Sequence, residues 1–594
     1  MKDLHDVLSR IWGFQDLRPM QDQVVRSVLQ GRDTLALLPT GGGKSLCFQL
    51  PALMQGGCCL VVSPLIALMK DQVQRLRERG VRAVALTAGM RREELDVALE
   101  NCALGHCDFL YVSPERLGSD LFRARVDRLP ITLIAIDEAH CISQWGYDFR
   151  PAYLAIGDLR EHFPEVPVIA LTATATERVV TDIQERLRFR EPHVLRGDFR
   201  RPELTFWVSR GEDKLGRLLR IAERTTGGAI VYVRQRREAL RIANRLTDAG
   251  FSAAPYHAGL PLEERDRTQR AWTQGSVRFV IATNAFGMGI DKGDVRTVVH
   301  WGPPDDLESY YQEAGRAGRD GEASHAILLV DQGDGRRLEE RVRGSFPALQ
   351  QVRACLQAFA DMHRIPLSGG MDETFALDLR GIAERMGTNV RTAAQALKVL
   401  ELNGDLALSD GFRDPSRVHF VGSPREVHQL QGQRHPSAPL LEAVLRTYGG
   451  VFEQPTVIEE ERLARMIGWS TEAVRQTLKA SQEAGILEYR PRNTGPAATL
   501  LTPRRDAATL MPDPAVMRDR EGRALERMDR MRSYFERGDV CRETTLLAYF
   551  GAQPPEACGH CDVCVARAKG PAIASEPVVD LERLRWERDQ EDSR

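Results

Sequence analysis

A short apolar run, Thr34-Leu35-Ala36-Leu37-Leu38, leads into Thr40-Gly41-Gly42-Gly43-Lys44-Ser45 and then Leu46-Cys47-Phe48-Gln49-Leu50. Strand, glycine-rich turn and helix start, in that order, are what a phosphate-binding loop requires, and they commit the N-terminal region to an α/β layer fold. Glycines let backbone N–H groups close around phosphate oxygens, and the helix N-terminus adds its positive end. In this arrangement Lys44 reaches the outer phosphates and Ser45 holds Mg2+. The strict pattern has glycine at position 38, where Leu38 stands.

The partner motif is Leu133-Ile134-Ala135-Ile136-Asp137-Glu138-Ala139-His140, an apolar strand that ends in two carboxylates. Asp137 suits Mg2+ through its water shell, and Glu138 suits polarising an attacking water. Phosphoryl transfer needs little more than such positioning and charge stabilisation. Strand–helix alternation then recurs through Gly228–Val233, Tyr256–Gly259 and Phe279–Thr283, which implies two α/β lobes with the nucleotide between them. Within the helical stretch Ser309–Arg319, Arg316 and Arg319 stand three apart on one face and suit an arginine finger reaching the γ-phosphate across the cleft.

Near the C-terminus Cys541, Cys558, Cys561 and Cys564 follow the spacing C-x16-C-x2-C-x2-C. The chain starts without the apolar core of a signal peptide and holds no apolar run long enough for a bilayer, which points to the cytoplasm. In a reducing compartment clustered C-x2-C pairs are metal ligands, and four thiolates satisfy a closed, structural zinc site. His560, between two of them, reads as a bystander. The net charge of -2 comes from 81 basic and 83 acidic residues, so any nucleic-acid surface requires the charges to be segregated in space.

From about residue 8 to 325 the chain resembles the RecQ family of superfamily 2 DNA helicases. Gly13-Phe14-Gln15-Asp16-Leu17-Arg18-Pro19-Met20-Gln21 is similar to the family's adenine-reading motif, which implies that Arg18 and Gln21 contact the base and that ATP is preferred. Val62-Ser63-Pro64 through Asp71-Gln72 resembles its first strand-contact motif, and Ala285–Lys292 its fifth. Ser63 and Thr283 are implied strand contacts. Cys141–Pro151 resembles the aromatic-rich loop, in which Trp145 and Phe149 stack on unpaired bases and Arg150 meets phosphate. Its place directly after Asp137-Glu138 would couple strand binding to hydrolysis. The zinc cluster resembles the family's module, including the long first gap. The resemblance implies an ATP-dependent 3'-to-5' helicase that unwinds duplex DNA in repair and recombination. Rival readings are a translocase or RNA remodeller, and a DNA-binding regulator with an ATPase switch.

Past residue 330 two segments look alike at a constant offset. Ile382–Gly387, Leu397–Leu400 and Gly404-Asp405-Leu406 correspond to Leu463–Gly468, Leu478-Lys479 and Gly485-Ile486-Leu487. Each reads helix, glycine turn, helix, glycine turn, strand, the layout of a winged helix. Arg391, Arg475 and Lys479 make their second helices modestly basic. The expected organisation is a RecA-like lobe over 1–195, a second over 196–335, two winged-helix-like units over 340–510, a zinc-binding helical module over 515–570 and a charged tail over 571–594. This departs from the family's plan, in which the zinc module follows the motor directly and a winged helix follows the zinc. Little chain remains after Cys564, so the expectation is that no helicase-and-ribonuclease-D C-terminal domain follows. The family's strand-separating hairpin transfers to no residue.

Overall fold

Two parallel sheets carry the first half of the chain, and their burial shows why. The computed structural model describes residues 4–569 except 40, 65, 88–89, 91, 144, 146–148, 174, 285, 287–291, 372, 410–415, 422–435, 492–495, 513 and 553–556. Thr40, most of the fifth motif and the charged tail therefore lie outside the described residues. The first sheet is built from β1 (Thr34–Leu37), β2 (Cys58–Val62), β3 (Ala83–Leu86), β4 (Phe109–Val112), β5 (Ile131–Ile136), β6 (Val168–Thr172) and β7 (Val194–Arg196), in the order β3-β4-β2-β5-β6-β1-β7. The second comprises β8 (Leu204–Arg210), β9 (Gly228–Tyr232), β10 (Ala253–Tyr256), β11 (Phe279–Ala282), β12 (Val295–His300) and β13 (Ser324–Val330), in the order β10-β11-β9-β12-β13-β8.

Successive side chains on a strand face opposite ways, so a strand covered by helices on both sides must be apolar at every position. Leu35, Leu37, Ile134, Ile136 and Ala170 enter one core, while Ala36, Leu38, Leu133, Ala135, Ile169 and Leu171 enter another on the opposite face. The second sheet divides likewise: Ile230 and Tyr232 go one way, Ala229 and Val231 the other. At roughly 1.5–3 kcal/mol for each fully buried large aliphatic side chain, this two-faced burial outweighs the surface ion pairs, whose median worth is about 0–1 kcal/mol.

The chain divides into two compact units: Met1–Asp372 with Leu379–Ala407 and Leu500–Arg594, and Glu373–Asp378 with Leu408–Thr499. The two similar segments therefore part company. The helices of the first, Leu379–Arg385 and Val390–Leu402, belong to the larger unit; those of the second, Glu460–Ile467 and Thr471–Glu483, belong to the smaller. The turns between them pivot on Gly387 (φ +63°) and Gly468 (φ +71°), both left-handed and open to solvent. In the smaller unit Leu440, Val444, Leu463, Val474, Leu478 and Tyr489 form the core. Buried Glu460 there accepts hydrogen bonds from Tyr489 Oη (2.5 Å), Ser416 and Arg475. Arg475 is thus tied to its own fold, and Arg391 donates to Arg341 O (2.9 Å). Two of the three basic residues noted in the sequence serve structure.

The helix Pro514–Glu536 and the cysteine module that follows lie against the second sheet's lobe, despite the distance along the chain. Met528, Met531, Tyr534, Phe535, Leu546 and Phe550 share one hydrophobic cluster with residues of both sheets. Tyr534 meets Tyr310 with ring centroids 5.2 Å apart, and Phe550 stacks on Phe199 at 6.0 Å. Tyr549 Oη donates to Glu308 Oε1 (2.6 Å). Burial, reinforced by Asp306, pushes the Glu308 carboxyl up to about 7, although Tyr549 and Arg527 favour its charge. A carboxyl raised in the folded state contributes stability that is complete below its unfolded value of about 4.3 and lost as pH rises through about 7. Glu308→Gln is therefore expected to remove a fall in stability on the order of 2–3 kcal/mol between pH 4.5 and 7.5. Parallel pH-dependent melting curves for the variant and the parent protein would contradict this.

Candidate active site at the sheet edge

Parallel register delivers the functional groups to one edge. Leu37 of β1 pairs with Thr172 of β6, while Ile136 of β5 pairs with Ala170 of β6 and Val62 of β2. The segments after β1, β2, β5 and β6 therefore emerge side by side at the carboxyl ends of the strands, where α/β sheets hold ligands. They contribute the Gly41–Ser45 loop, Ser63, Asp137-Glu138 and Thr172-Ala173. Ser45 caps the helix Leu46–Gln55, which points its N-terminus at this edge.

The glycines are required by close approach. Gly41 (φ +82°) lies under Arg319, where a Cβ would meet the arginine Cγ at 3.0 Å. A Cβ on Gly43 (φ +73°) would collide with Gln21 Nε2. Gln21 Nε2 donates to Gly42 O (3.1 Å), and Arg18 Nη1 donates to Gly41 O (2.9 Å). Arg18 and Gln21, expected at the base, are thus in contact with the phosphate loop itself.

Lys44 Nζ sits 3.4 Å from Glu138 Oε1, both largely buried. Glu138 holds a left-handed backbone (φ +48°), a strained conformation for a non-glycine residue that is found disproportionately at functional sites. His140 Nδ1 is 2.9 Å from Thr172 Oγ1 and 3.4 Å from Glu138 Oε2. Burial first, and then the Glu138 charge, push Asp137 up to about 6 against the pull of Lys44. Two carboxylates thus share one lysine, a balance that a cation would complete. Behind Asp137 runs a polar chain that the sequence reading did not pick out. Gln49 donates to Tyr111 Oη (3.2 Å), Tyr111 to Gln72 Oε1 (2.8 Å), and Gln72 hydrogen-bonds Asp137. Gln72 lies inside the quoted strand-contact motif, so the signal was present but gave no role.

Other expected residues are placed less simply. Ser63 is fully buried and offers no surface to a strand. Thr283, at the end of β11, is half-buried; its backbone N–H donates to Tyr256 O and its carbonyl accepts from Phe286. Arg316 and Arg319 do not share a helical face. The helix Leu307–Ala314 stops at Gly315, and both arginines lie in the turns beyond it, where Gly318 adopts φ +67°. Glycine ends the helix that the spacing suggested. Arg316 is buried beside Tyr232 and Glu313, while Arg319 faces the phosphate loop. Arg234, His300 (2.9 Å) and Arg316 hold Glu313 down to about 2 against its burial.

In the aromatic loop, Arg150 Nη1 donates to Pro64 O (2.9 Å). Phe149 lines a cavity with Lys398, Glu401 and Leu402 of the helix Val390–Leu402. Two guanidinium groups lie over the Trp145 ring, Arg178 at 2.8 Å and Arg523 at 4.3 Å from its centroid.

In the cysteine module Sγ of Cys558 and Cys564 are 3.9 Å apart, as are those of Cys541 and Cys561, and all four lie within 4.8 Å of one another. A tetrahedron with Zn–S of about 2.3 Å has edges of about 3.8 Å, so the set fits zinc. Backbone N–H groups of Cys558 and Cys564 donate to the Cys541 and Cys561 sulfurs at 3.3 and 3.5 Å, and hydrogen bonds from Cys558 and Cys561 draw Cys541 far below the usual thiol range. Buried Arg542 grips Asp562 through Nε (2.9 Å) and Nη2 (2.8 Å) and closes the module. Glu543 and His560 converge on Cys558 from outside the set.

Two parallel-sheet lobes, with a phosphate loop from one and an arginine from the other laid over it, are the layout of a nucleotide-binding protein of the two-lobed helicase class. Comparison with known proteins agrees. Residues 18–183 match the DEAD/DEAH box helicase family and 212–321 the helicase conserved C-terminal domain. Residues 418–491 match a RecQ helicase winged-helix domain of Bacteroidota, and 506–565 the RecQ zinc-binding family. The chain is 43% identical over 330 residues to the ATP-dependent DNA helicase RecQ of Pasteurella multocida, covering 55% of this chain and 52% of that relative. It is 40% identical over 372 residues to the probable ATP-dependent DNA helicase RecS of Bacillus subtilis, covering 61% and 73%. The chain belongs to the RecQ family. It spans about half the length of the first of these relatives. Among the described residues no helix is long and apolar enough to cross a membrane.

Proposed function

We propose that this protein is an ATP-dependent DNA helicase that moves 3'-to-5' on single-stranded DNA and unwinds duplexes in repair and recombination. The observation that carries the reading is the meeting of Lys44, Asp137 and Glu138 with Arg319 over Gly41, next to a loop that offers Trp145. Gly41, Gly42, Gly43 and Lys44, together with Thr40, cradle the phosphates, and Arg18 and Gln21 move from the loop to the adenine when nucleotide enters. Ser45 and Asp137 hold the accompanying Mg2+, which neutralises charge on the phosphate oxygens. Glu138 orients the attacking water, and its contact with Lys44 is the one that nucleotide replaces. Arg319 senses the γ-phosphate, and Arg316, buried beside Glu313, adds positive charge to the same lobe's edge. Cys541, Cys558, Cys561 and Cys564 hold a structural zinc that keeps the last module on the second lobe.

Trp145, Phe149 and Arg150 grip the strand, with Thr283 on the opposite lobe; Ser63, fully buried, serves only to hold its strand end in place. Because Tyr153, just after the loop, donates from Oη to Asp137 O (3.1 Å), movement of the loop is felt at the hydrolytic carboxylates. Base–aromatic stacking is worth about 1–3 kcal/mol. Trp145→Ala is accordingly expected to keep basal ATP turnover and to lose about tenfold or more in strands separated per ATP; unaltered unwinding would sink the coupling. ATPase assays with DNA or RNA oligonucleotides as the activator test the substrate class. Stronger stimulation by RNA would favour an RNA remodeller.

A further inference from the structure

The guanidinium groups around Trp145 have few polar partners among the described residues. Arg178 and Arg523 both place a guanidinium over its ring, 2.8 and 4.3 Å from the centroid. Arg520 and Arg523 stand three apart on the helix Pro514–Glu536, the first half-buried and the second buried. Arg523 is only 8% exposed; its Nη1 donates no hydrogen bond among the described residues, and its sole ion pair is with solvent-facing Asp519 (3.0 Å). Arg520, half-buried, makes no hydrogen bond or ion pair among the described residues, and neither does Arg178. Their other charged neighbours are Asp182 and a further cation, Arg527, which is itself turned toward Asp306 and Glu308. Burial and mutual repulsion lower the affinity of both Arg520 and Arg523 for their protons. Buried arginines with idle donors, crowded against one another, are costly unless an anion completes them.

We propose that Arg178, Arg520 and Arg523 form a phosphate-binding site for the single strand whose base stacks on Trp145. The inference rests on the DNA-translocating reading above and adds a contact from the C-terminal helix to the strand's path. Guanidinium groups match phosphate oxygens in a fork geometry, and the indole face is the stacking surface beside them. With no strand present the arginines lie on the indole by cation–π attraction. A phosphodiester draws them onto its oxygens and leaves a ring face to the base. The strand therefore gains two contacts in one exchange, and the helix leading to the zinc module registers its arrival.

The test is the salt dependence of oligo(dT) binding by the full chain, compared with Arg520→Gln, Arg523→Gln and Arg523→Lys. Each phosphate contact on a single strand contributes about 0.7 to the slope of log affinity against log salt. Each Gln variant is expected to bind several-fold more weakly at low salt with a slope shallower by about 0.7, and Arg523→Lys to keep the slope. Arg520, which has no partner to lose, supplies the variant whose melting temperature should not move. Unchanged slopes in both Gln variants would overturn the site. So would tighter binding, which would mean that the arginines only shield Trp145. If the parent chain itself bound no oligo(dT), the motor reading would fall first; if it bound and only the slopes were unmoved, this inference alone would fall.

Discussion

Lys44→Ala is expected to lower ATP turnover by at least about 10²–10³-fold, the scale on which a single preorganised charge-stabilising group acts in transfer chemistry. The reason lies in the arrangement as much as in the motif. Lys44 is the ammonium beside Glu138, 3.4 Å away, and it restrains the pKa of Asp137, already raised to about 6 by burial and by its acidic neighbour. Without it, two adjacent carboxylates face each other and an incoming polyphosphate meets net negative charge. The outer phosphates lose their cation at the same time, so both nucleotide affinity and turnover decline. The fold should survive, because the strands around the loop are buried on both faces and contribute independently. A steady-state ATPase assay with saturating oligonucleotide checks this. Retained DNA-stimulated turnover would refute the phosphate-loop assignment of Lys44.

The second large effect is on stability. Cys561→Ser is expected to drop the bound zinc below one per chain and to lower the melting temperature of the C-terminal module by about 10 °C or more. Structural zinc binding contributes directly to folding free energy, and at roughly 2–4 °C per kcal/mol even a fraction of it moves the transition widely. Cys561 is fully buried, and the module has little other core. Around the cysteines the buried Arg542–Asp562 pair adds a tie that is stabilising only while both charges stay satisfied. Loss of the module would also release Tyr549 from Glu308 and Phe550 from Phe199. Unchanged metal content together with an unchanged melting profile would count against zinc.

The grouping of the candidate site's charged residues at one sheet edge was legible because its signals are local. An apolar run that ends in glycines or carboxylates states both the strand and what it carries, and Lys44, Asp137 and Glu138 do meet. The cysteine spacing was equally direct: the four sulfurs do lie within 4.8 Å of one another. What could not be read depends on partners far along the chain. Periodicity marks the apolar face of the helix Pro514–Glu536 but not the lobe it packs on, nor that Arg523 reaches Trp145 across hundreds of residues. The departure of the zinc module from the family's order is a departure in sequence; in space its helix still reaches Tyr310 of the second lobe. Arg316 and Arg319 show the opposite failure. Their spacing matched a helix, and two glycines overrode it. Ser63 had the right motif but is fully buried at a strand end, its backbone N–H already donating to Val112 O.

The central claim is directional strand separation by a motor whose C-terminal half is rearranged. It is tested most directly by ATP-dependent unwinding of two partial duplexes, one with a 3' single-stranded tail and one with a 5' tail. Unwinding of the 3'-tailed duplex alone is expected. ATP hydrolysis without separation of either would contradict it and leave a translocase; separation from the 5' tail would contradict the polarity.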